Sequence, residues 1–251
     1  MMNFNINPTL VNIGIFQVRY YGIIYVLGFI ITFLYLDYLR KKQILELSKE
    51  KIYDLMFYLV IGVILGSRIF EVLFWQPSYY FNNTLQILAI WNGGLSFHGG
   101  LIGAVIATFM FSKKNNINFL KLLDIIIIPS MLALALGRIG NLLNSEIYGT
   151  VTNVPWCFNF EDVEGCRHPY QIYASLGHLF SFFILLILNK KQKVYGKVFW
   201  NGILLFGLTR FVLDFWRDDP LFLGLNLGQY FSIPLIIISL IFLLRKNRTI
   251  S

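Results

Sequence analysis

Charge is what this chain has least of. Only 14% of its 251 residues are Asp, Glu, Lys or Arg, against about 25% in ordinary soluble domains. That is too little polar surface to cover a soluble globule of this size. Acidic residues are the scarcest, 13 against 21 basic ones. There are two cysteines, Cys157 and Cys166, and no His/Cys cluster with metal-ligand spacing. Strict alternation of apolar and polar residues is missing, which argues against a transmembrane barrel. No internal repeat and no low-complexity linker divides the chain. No basic leader is followed by a cleavage site, so no removable signal peptide is expected. P-loop, HExxH and Gly-x-Ser-x-Gly patterns are all missing, so no familiar nucleotide, zinc-hydrolase or serine-hydrolase chemistry is signalled.

What is present is apolar: 57% of the residues are hydrophobic. Seven stretches are near the roughly 20 residues that cross a bilayer, at about residues 20–38, 55–75, 94–111, 119–141, 169–188, 198–216 and 228–244. The expectation is an all-α, polytopic transmembrane bundle over residues 1–251, one integral membrane domain with a short external loop at about 150–167. Lysines set the orientation, because cytoplasmic loops collect them. Lys41, Lys42, Lys49 and Lys51, then Lys113, Lys114 and Lys121, then Lys190, Lys191, Lys193 and Lys197, and finally Lys246 follow alternate spans. The N-terminus is therefore expected outside and the C-terminus in the cytoplasm. The net charge of +8 is accordingly a topology signal and not a nucleic-acid surface, since the basic residues sit in short loops. The external loop is acidic, with Glu161, Asp162 and Glu164, and an oxidising exterior permits a Cys157–Cys166 disulfide. The segment 76–92, with Pro77 and several polar residues, is expected along the outer interface.

Polar groups gather at the outer helix ends. Trp91-Asn92-Gly93-Gly94-Leu95-Ser96-Phe97-His98-Gly99-Gly100 opens the third span, and Gly137-Arg138-Ile139-Gly140-Asn141 closes the fourth, with Glu146 just beyond. Arg138 and Asn141, three apart, share a helix face. Arg210, Asp214 and Arg217 form one stripe at the end of the sixth span, and Tyr21 begins the first. Ionisable groups at that depth are expensive and are functional candidates by default. Each has a plainer reading. Arg210 with Asp214 could simply hold the bundle. Arg68 with Glu71, and Lys121 with Asp124, read as structural pairs, and His178 as a packed core histidine. Gly62/Gly66 and Gly99/Gly103 have the GxxxG spacing that lets helices approach. The glycines flanking Arg138 and His98 read as clearance for a ligand. Arginine binds phosphate through a two-pronged fork and keeps its charge in an apolar setting. A phospholipid headgroup is the phosphate found at that depth. No nucleophile of the chain's own stands out, so the nucleophile is expected to arrive with a second substrate.

The strings RYYGIIY, GSRIFEVLF, WNGGLSFHGGLIGA, GRIGNLLNSEIYG, RHPYQIYAS and TRFVLDFWR resemble, in order and across nearly the whole chain, the bacterial prolipoprotein diacylglyceryl transferases. The resemblance implies a multi-pass enzyme of the bacterial cytoplasmic (inner) membrane. It would move the diacylglyceryl group of phosphatidylglycerol to the lipobox cysteine of a prolipoprotein, form a thioether and release glycerol phosphate. It implies no cofactor and no metal, membrane lipid and a prolipoprotein signal peptide as partners, and a site in the outer half of the bilayer. Carried over by motif, the site residues are Tyr21, His98, Arg138, Asn141, Glu146, Gly149, Arg210 and Asp214. Arg138 and Arg210 would contact phosphate, and Asn141 and Glu146 would shape the headgroup pocket. His98 or an arginine would help deprotonate the thiol. The chain departs from the pattern at Asp214, where the family carries the longer Glu, and at Ala174, where it carries an acid. The reading from a different class is a membrane transporter for an anionic solute. It requires polar groups reaching both faces, whereas the embedded charges here gather at one.

Overall fold

Backbone in hydrocarbon must bond to itself, which leaves helices as the solution for runs without strand periodicity. The computed structural model describes residues 2–4, 9–13, 16–191 and 194–245. In chain order they form β1 (Met2–Phe4), β2 (Thr9–Ile13), β3 (Phe16–Arg19), α1 (Tyr20–Lys41), α2 (Lys49–Phe70), α3 (Pro77–Asn82), α4 (Phe97–Asn115), α5 (Phe119–Leu143), β4 (Phe158–Phe160), α6 (Tyr170–Lys191), α7 (Lys197–Leu213), β5 (Leu221–Phe222), β6 (Leu225–Asn226) and α8 (Leu227–Leu244). The expected all-α polytopic fold is the fold found. Among the described residues six helices are long and apolar enough to cross a membrane: Gly22–Lys41, Lys49–Trp75, Phe119–Leu143, Tyr170–Lys191, Lys197–Trp216 and Leu227–Leu244. Helix α4 is apolar between a first turn of Phe97-His98-Gly99-Gly100 and a last turn holding Lys113 and Lys114. The chain divides into two units, residues 33–123 and residues 1–32 with 124–251.

In the first of these units α2 lies along α4, and glycines make the approach possible. A Cβ added to Gly62 would stand 2.6 Å from the Gly103 carbonyl oxygen, and one on Gly66 would strike the carbonyl of Gly99. Both GxxxG pairs therefore face each other. Gly99 and Gly100 admit α2, at Gly66 and Ser67 respectively, and not a ligand as their flanking of His98 had implied. Arg68 is buried in the same unit. It does not form the expected ion pair with Glu71 among the described residues. Its guanidinium instead donates to the carbonyls of Gln86, Ile87, Ala89, Gly93 and Gly94 and to Tyr80 Oη. One side chain thus folds residues 86–94 back onto α2. Residues 76–92 carry α3 and two 3-10 turns.

In the other unit α6, α7 and α8 pack in sequence, and Ser175 Oγ ties α6 to the Ala135 carbonyl of α5 at 2.9 Å. Asp124 is structural, as expected, but its partner is not Lys121. Its carboxylate accepts from the backbone N–H of Gly196 at 2.6 Å and of Phe199 at 2.7 Å, which caps the positive end of α7. His178 is a packed core histidine, its ring stacked on Phe206 with centroids 5.7 Å apart. The segment 150–167 carries structure of its own. Strand β4 pairs in parallel with β1, Cys157 and Cys166 are disulfide-bonded with Cα atoms 5.5 Å apart, and Arg167 bridges the Gly149 carbonyl and Asp218.

Candidate active site

The C-terminal turn of α5 and the loop after it build the first half of the site in the unit containing residues 124–251. Arg138 Nη1 donates to Asn141 Oδ1 at 3.2 Å, the bond that their spacing of three predicts. Asn141 Nδ2 donates onward to Glu146 Oε1 at 3.1 Å, joined there by Asn144 Nδ2 at 3.3 Å. The Glu146 backbone is fixed too: its N–H donates to the Asn141 carbonyl at 3.0 Å, and its carbonyl accepts from Gln171 Nε2 at 2.8 Å. The residues on either side, Ser145 and Ile147, have φ of 51° and 60°. A left-handed β-branched residue is a rare backbone state. Such states persist where surrounding contacts over-determine them, often at working sites. Gly149 follows; any Cβ there would strike the His168 carbonyl, so the strand can pass only as glycine.

The end of α7 supplies the second half. Arg210 Nε and Asp214 Oδ2 are 3.5 Å apart, yet both atoms are buried and neither makes a hydrogen bond. Asp214 is 1% exposed, and its other oxygen accepts from Tyr170 Oη at 2.5 Å. Asn226 and Gln229 form a capping box at the start of α8. From there Asn226 Nδ2 donates to the Asp214 carbonyl at 3.1 Å and Gln229 Nε2 to the Phe211 carbonyl at 3.1 Å. Gly228 is bare because a Cβ would collide with Asp214 Oδ2 and stand 2.8 Å from Arg210 Nε. Arg138 and Arg217 both act electrostatically on Arg210 and on Tyr170. Arg217 lies 5.8 Å over the Tyr170 ring and 2.9 Å from Asp219. Burial pushes the Asp219 carboxyl up, and Arg217 opposes the shift.

The physical consequence is two buried guanidinium donors, Arg210 Nε and Arg217 Nε, that no acceptor among the described residues fills with a hydrogen bond. A buried guanidinium N–H without an acceptor is costly, and clustered guanidiniums repel unless an anion sits among them. A phosphate satisfies both needs with fork geometry.

Of the carried-over residues, Arg138, Asn141, Glu146, Gly149, Arg210 and Asp214 belong to this unit, Arg138 leading by hydrogen bonds to Asn141 and Glu146. Tyr21 lies in the first turn of α1; its side chain is outside the described residues. His98 belongs to the other unit, in the first turn of α4. Its half-buried ring neighbours Phe70, Trp75 and Phe97 at centroid distances of 6.0, 6.4 and 5.9 Å. Ser96, two residues earlier, is buried and accepts from Trp75 Nε1 at 2.9 Å, so it braces this turn. Among the described residues no group of three or more His, Cys, Asp or Glu could hold a metal ion. Sequence reasoning missed Tyr170, Gly228 and the capping box. Only the last had a local signal, the Asn-x-x-Gln spacing ahead of an apolar run.

The fold and these helix ends define a multi-pass membrane protein with a clustered-arginine site. The prolipoprotein diacylglyceryl transferase family model matches residues 8–245, and the chain belongs to that family. It is 38% identical over 243 residues to the phosphatidylglycerol–prolipoprotein diacylglyceryl transferase of Geobacter sulfurreducens, covering 94% of each chain. It is 39% identical over 254 residues to that of Polynucleobacter asymbioticus, covering 97% of each. To the Neisseria meningitidis serogroup A enzyme of the same name it is 38% identical over 269 residues, covering 94% of each.

Proposed function

We infer that this chain transfers the diacylglyceryl group of phosphatidylglycerol to the cysteine thiol of a prolipoprotein lipobox, the first step of lipoprotein maturation. Family membership over residues 8–245 carries the reading, and the arginine cluster with its unfilled Nε donors supports it.

In this reaction the thiol sulfur forms a bond to the terminal glyceryl carbon, and the bond from that carbon to phosphate oxygen breaks. The electron pair leaves with the phosphate, and the thiol proton passes to a base. Glycerol phosphate departs, and the bond changes balance with these two substrates alone. Arg138 and Arg210 bind the phosphate and stabilise the charge that grows on it as the bond breaks, which is where fixed cations contribute most. Asn141 and Glu146 shape the headgroup pocket: each is already held by a second hydrogen bond, so the pocket is set before lipid arrives. Gly149 keeps the adjoining strand close to His168, Asp214 sets the direction of Arg210, and Tyr21 contributes to substrate binding. A free thiol has a pKa near 8.5 and is only a few per cent ionised at neutral pH. His98 is assigned to help remove its proton.

The proposal extends to place: one domain, seven spans including α4, N-terminus outside, C-terminus cytoplasmic, in the bacterial cytoplasmic membrane, with the site in the outer half. The lysine alternation supports it. A reporter fused after Arg248 is expected to be active only in its cytoplasmic form; an active exported reporter there would invert the topology. The function itself is tested by incubating the purified protein with phosphatidylglycerol and a lipobox peptide. Mass spectrometry should show one diacylglyceryl group added at the cysteine, and an unmodified peptide would refute the reading.

A further inference from the structure

We propose that Tyr170 is a positioning residue of the phosphate site: its phenol holds Asp214 so that the carboxylate directs Arg210. The proposal rests on the transferase reading above.

Tyr170 stands in the first turn of α6 and is 1% exposed. Its hydroxyl is the one described donor to the Asp214 side chain, at Oδ1 and 2.5 Å, across 44 positions of sequence. The carboxylate's second oxygen is the one near Arg210 Nε, at 3.5 Å. Asp214 has a short side chain with two rotatable bonds. Asn226 fixes its main-chain carbonyl, but that leaves the carboxylate free to turn. The phenol removes this freedom. With Oδ1 held on one side and no Cβ at Gly228 on the other, Oδ2 points at the guanidinium. The Arg210–Asp214 contact lacks a hydrogen bond, so the carboxylate orients the arginine without consuming its donors, which stay available to a phosphate. Arg217 above the Tyr170 ring closes the remaining face.

The test compares Tyr170→Phe, Asp214→Glu and the double variant of the full chain, reconstituted in phosphatidylglycerol vesicles with a lipobox peptide. Tyr170→Phe deletes one oxygen. Transfer at limiting phosphatidylglycerol should fall roughly 10- to 100-fold, the worth of a hydrogen bond to a charged group, through KM for the lipid and not KM for the peptide. Asp214→Glu alone crowds the phenol oxygen and should also lose activity. In the double variant the extra methylene fills the vacated space and returns the carboxylate to Arg210, so transfer should exceed that of either single variant. This rescue separates positioning from packing, and it remains decisive if Tyr170→Phe folds poorly. Losses that multiply in the double variant, or a Tyr170→Phe protein with wild-type KM for the lipid, would overturn the proposal. Absence of transfer by the wild type would instead refute the transferase reading. The same ordering of the three variants, now in phosphatidylglycerol binding, would then support the positioning, and binding losses that multiply in the double variant would overturn it.

Discussion

Arg68 and Arg210 sit on helices long enough to cross the membrane, and both are largely enclosed, but their surroundings treat them in opposite ways. Around Arg68 five backbone carbonyls and a phenol take up the guanidinium. Around Arg210 the nearest carboxylate is 3.5 Å away, and Nε donates to nothing. A structural arginine is recognised by acceptors the protein supplies itself. Under the proposed function, the donor that the protein leaves unfilled on Arg210 is the one a phosphate takes up. Charge, helix position and burial do not distinguish the two; the inventory of partners does.

The sharpest way to break this comparison is conservative substitution. Arg138→Lys and Arg210→Lys keep the charge and lose the fork. Transfer is expected to fall by roughly 10²–10³, the scale seen when one transition-state charge stabiliser is removed, with little change in thermal midpoint. Arg68→Lys should do the reverse, lowering the midpoint because one ammonium cannot serve five carbonyls. A stable, fully active Arg68→Lys protein, or an unstable Arg210→Lys one, would erase the distinction.

His98 asks whether the other unit holds a second working residue or another brace. His98→Gln is expected to slow transfer about 10²-fold near neutral pH, the lower range for general-base help. It should recover partly toward pH 9, as the thiol ionises unaided. A mutant-to-wild-type ratio that stays flat between pH 6.5 and 9 would make His98 structural.

Smaller effects belong to the folded segment around residues 149–168. Burial holds the His168 imidazole below its ordinary 6.5, so the folded form binds fewer protons than the unfolded form between the two values. This segment should therefore be most stable above about pH 6.5 and weaken as pH falls toward the lowered value. His168→Gln should flatten that slope in hydrogen exchange. The double substitution Cys157→Ser with Cys166→Ser should cost about 2–3 kcal/mol of local stability and leave transfer intact. Complete loss of transfer with normal membrane insertion would mean that the segment works directly on substrate.

Much of this was legible in the sequence where causes are local. Apolar run length gave seven stretches, six of which are the helices long and apolar enough to cross a membrane, spacing of three predicted the Arg138–Asn141 bond, and spacing of four predicted the Arg210–Asp214 contact. Reading failed where a partner is remote. Asp124 has a lysine one turn away, yet bonds backbone 72 and 75 positions distant, because an open helix end offers fixed donors that a flexible lysine side chain does not. Arg68 has Glu71 one turn away and bonds a loop instead. Gly99 and Gly100 looked like room for a ligand and are room for α2. Tyr170 carried no periodic signal, since its significance lies in a residue 44 positions on.

The capping of α7 by Asp124 has a mechanical consequence. That helix is pinned near its start by Asp124 at Gly196 and Phe199, and near its end by Gln229 at Phe211. A helix of 17 residues is a rod of about 25 Å, and a rod fixed at both ends cannot slide along its axis. Arg210 therefore sits at a set height along the helix, and under the proposed function the lipid phosphate has to come to it. In bilayers of graded acyl length, mismatch is absorbed by the lipid at a modest cost per ångström. The protein should thus act as a gauge, fastest where the phosphate plane meets its arginines and slower in membranes thicker or thinner than that.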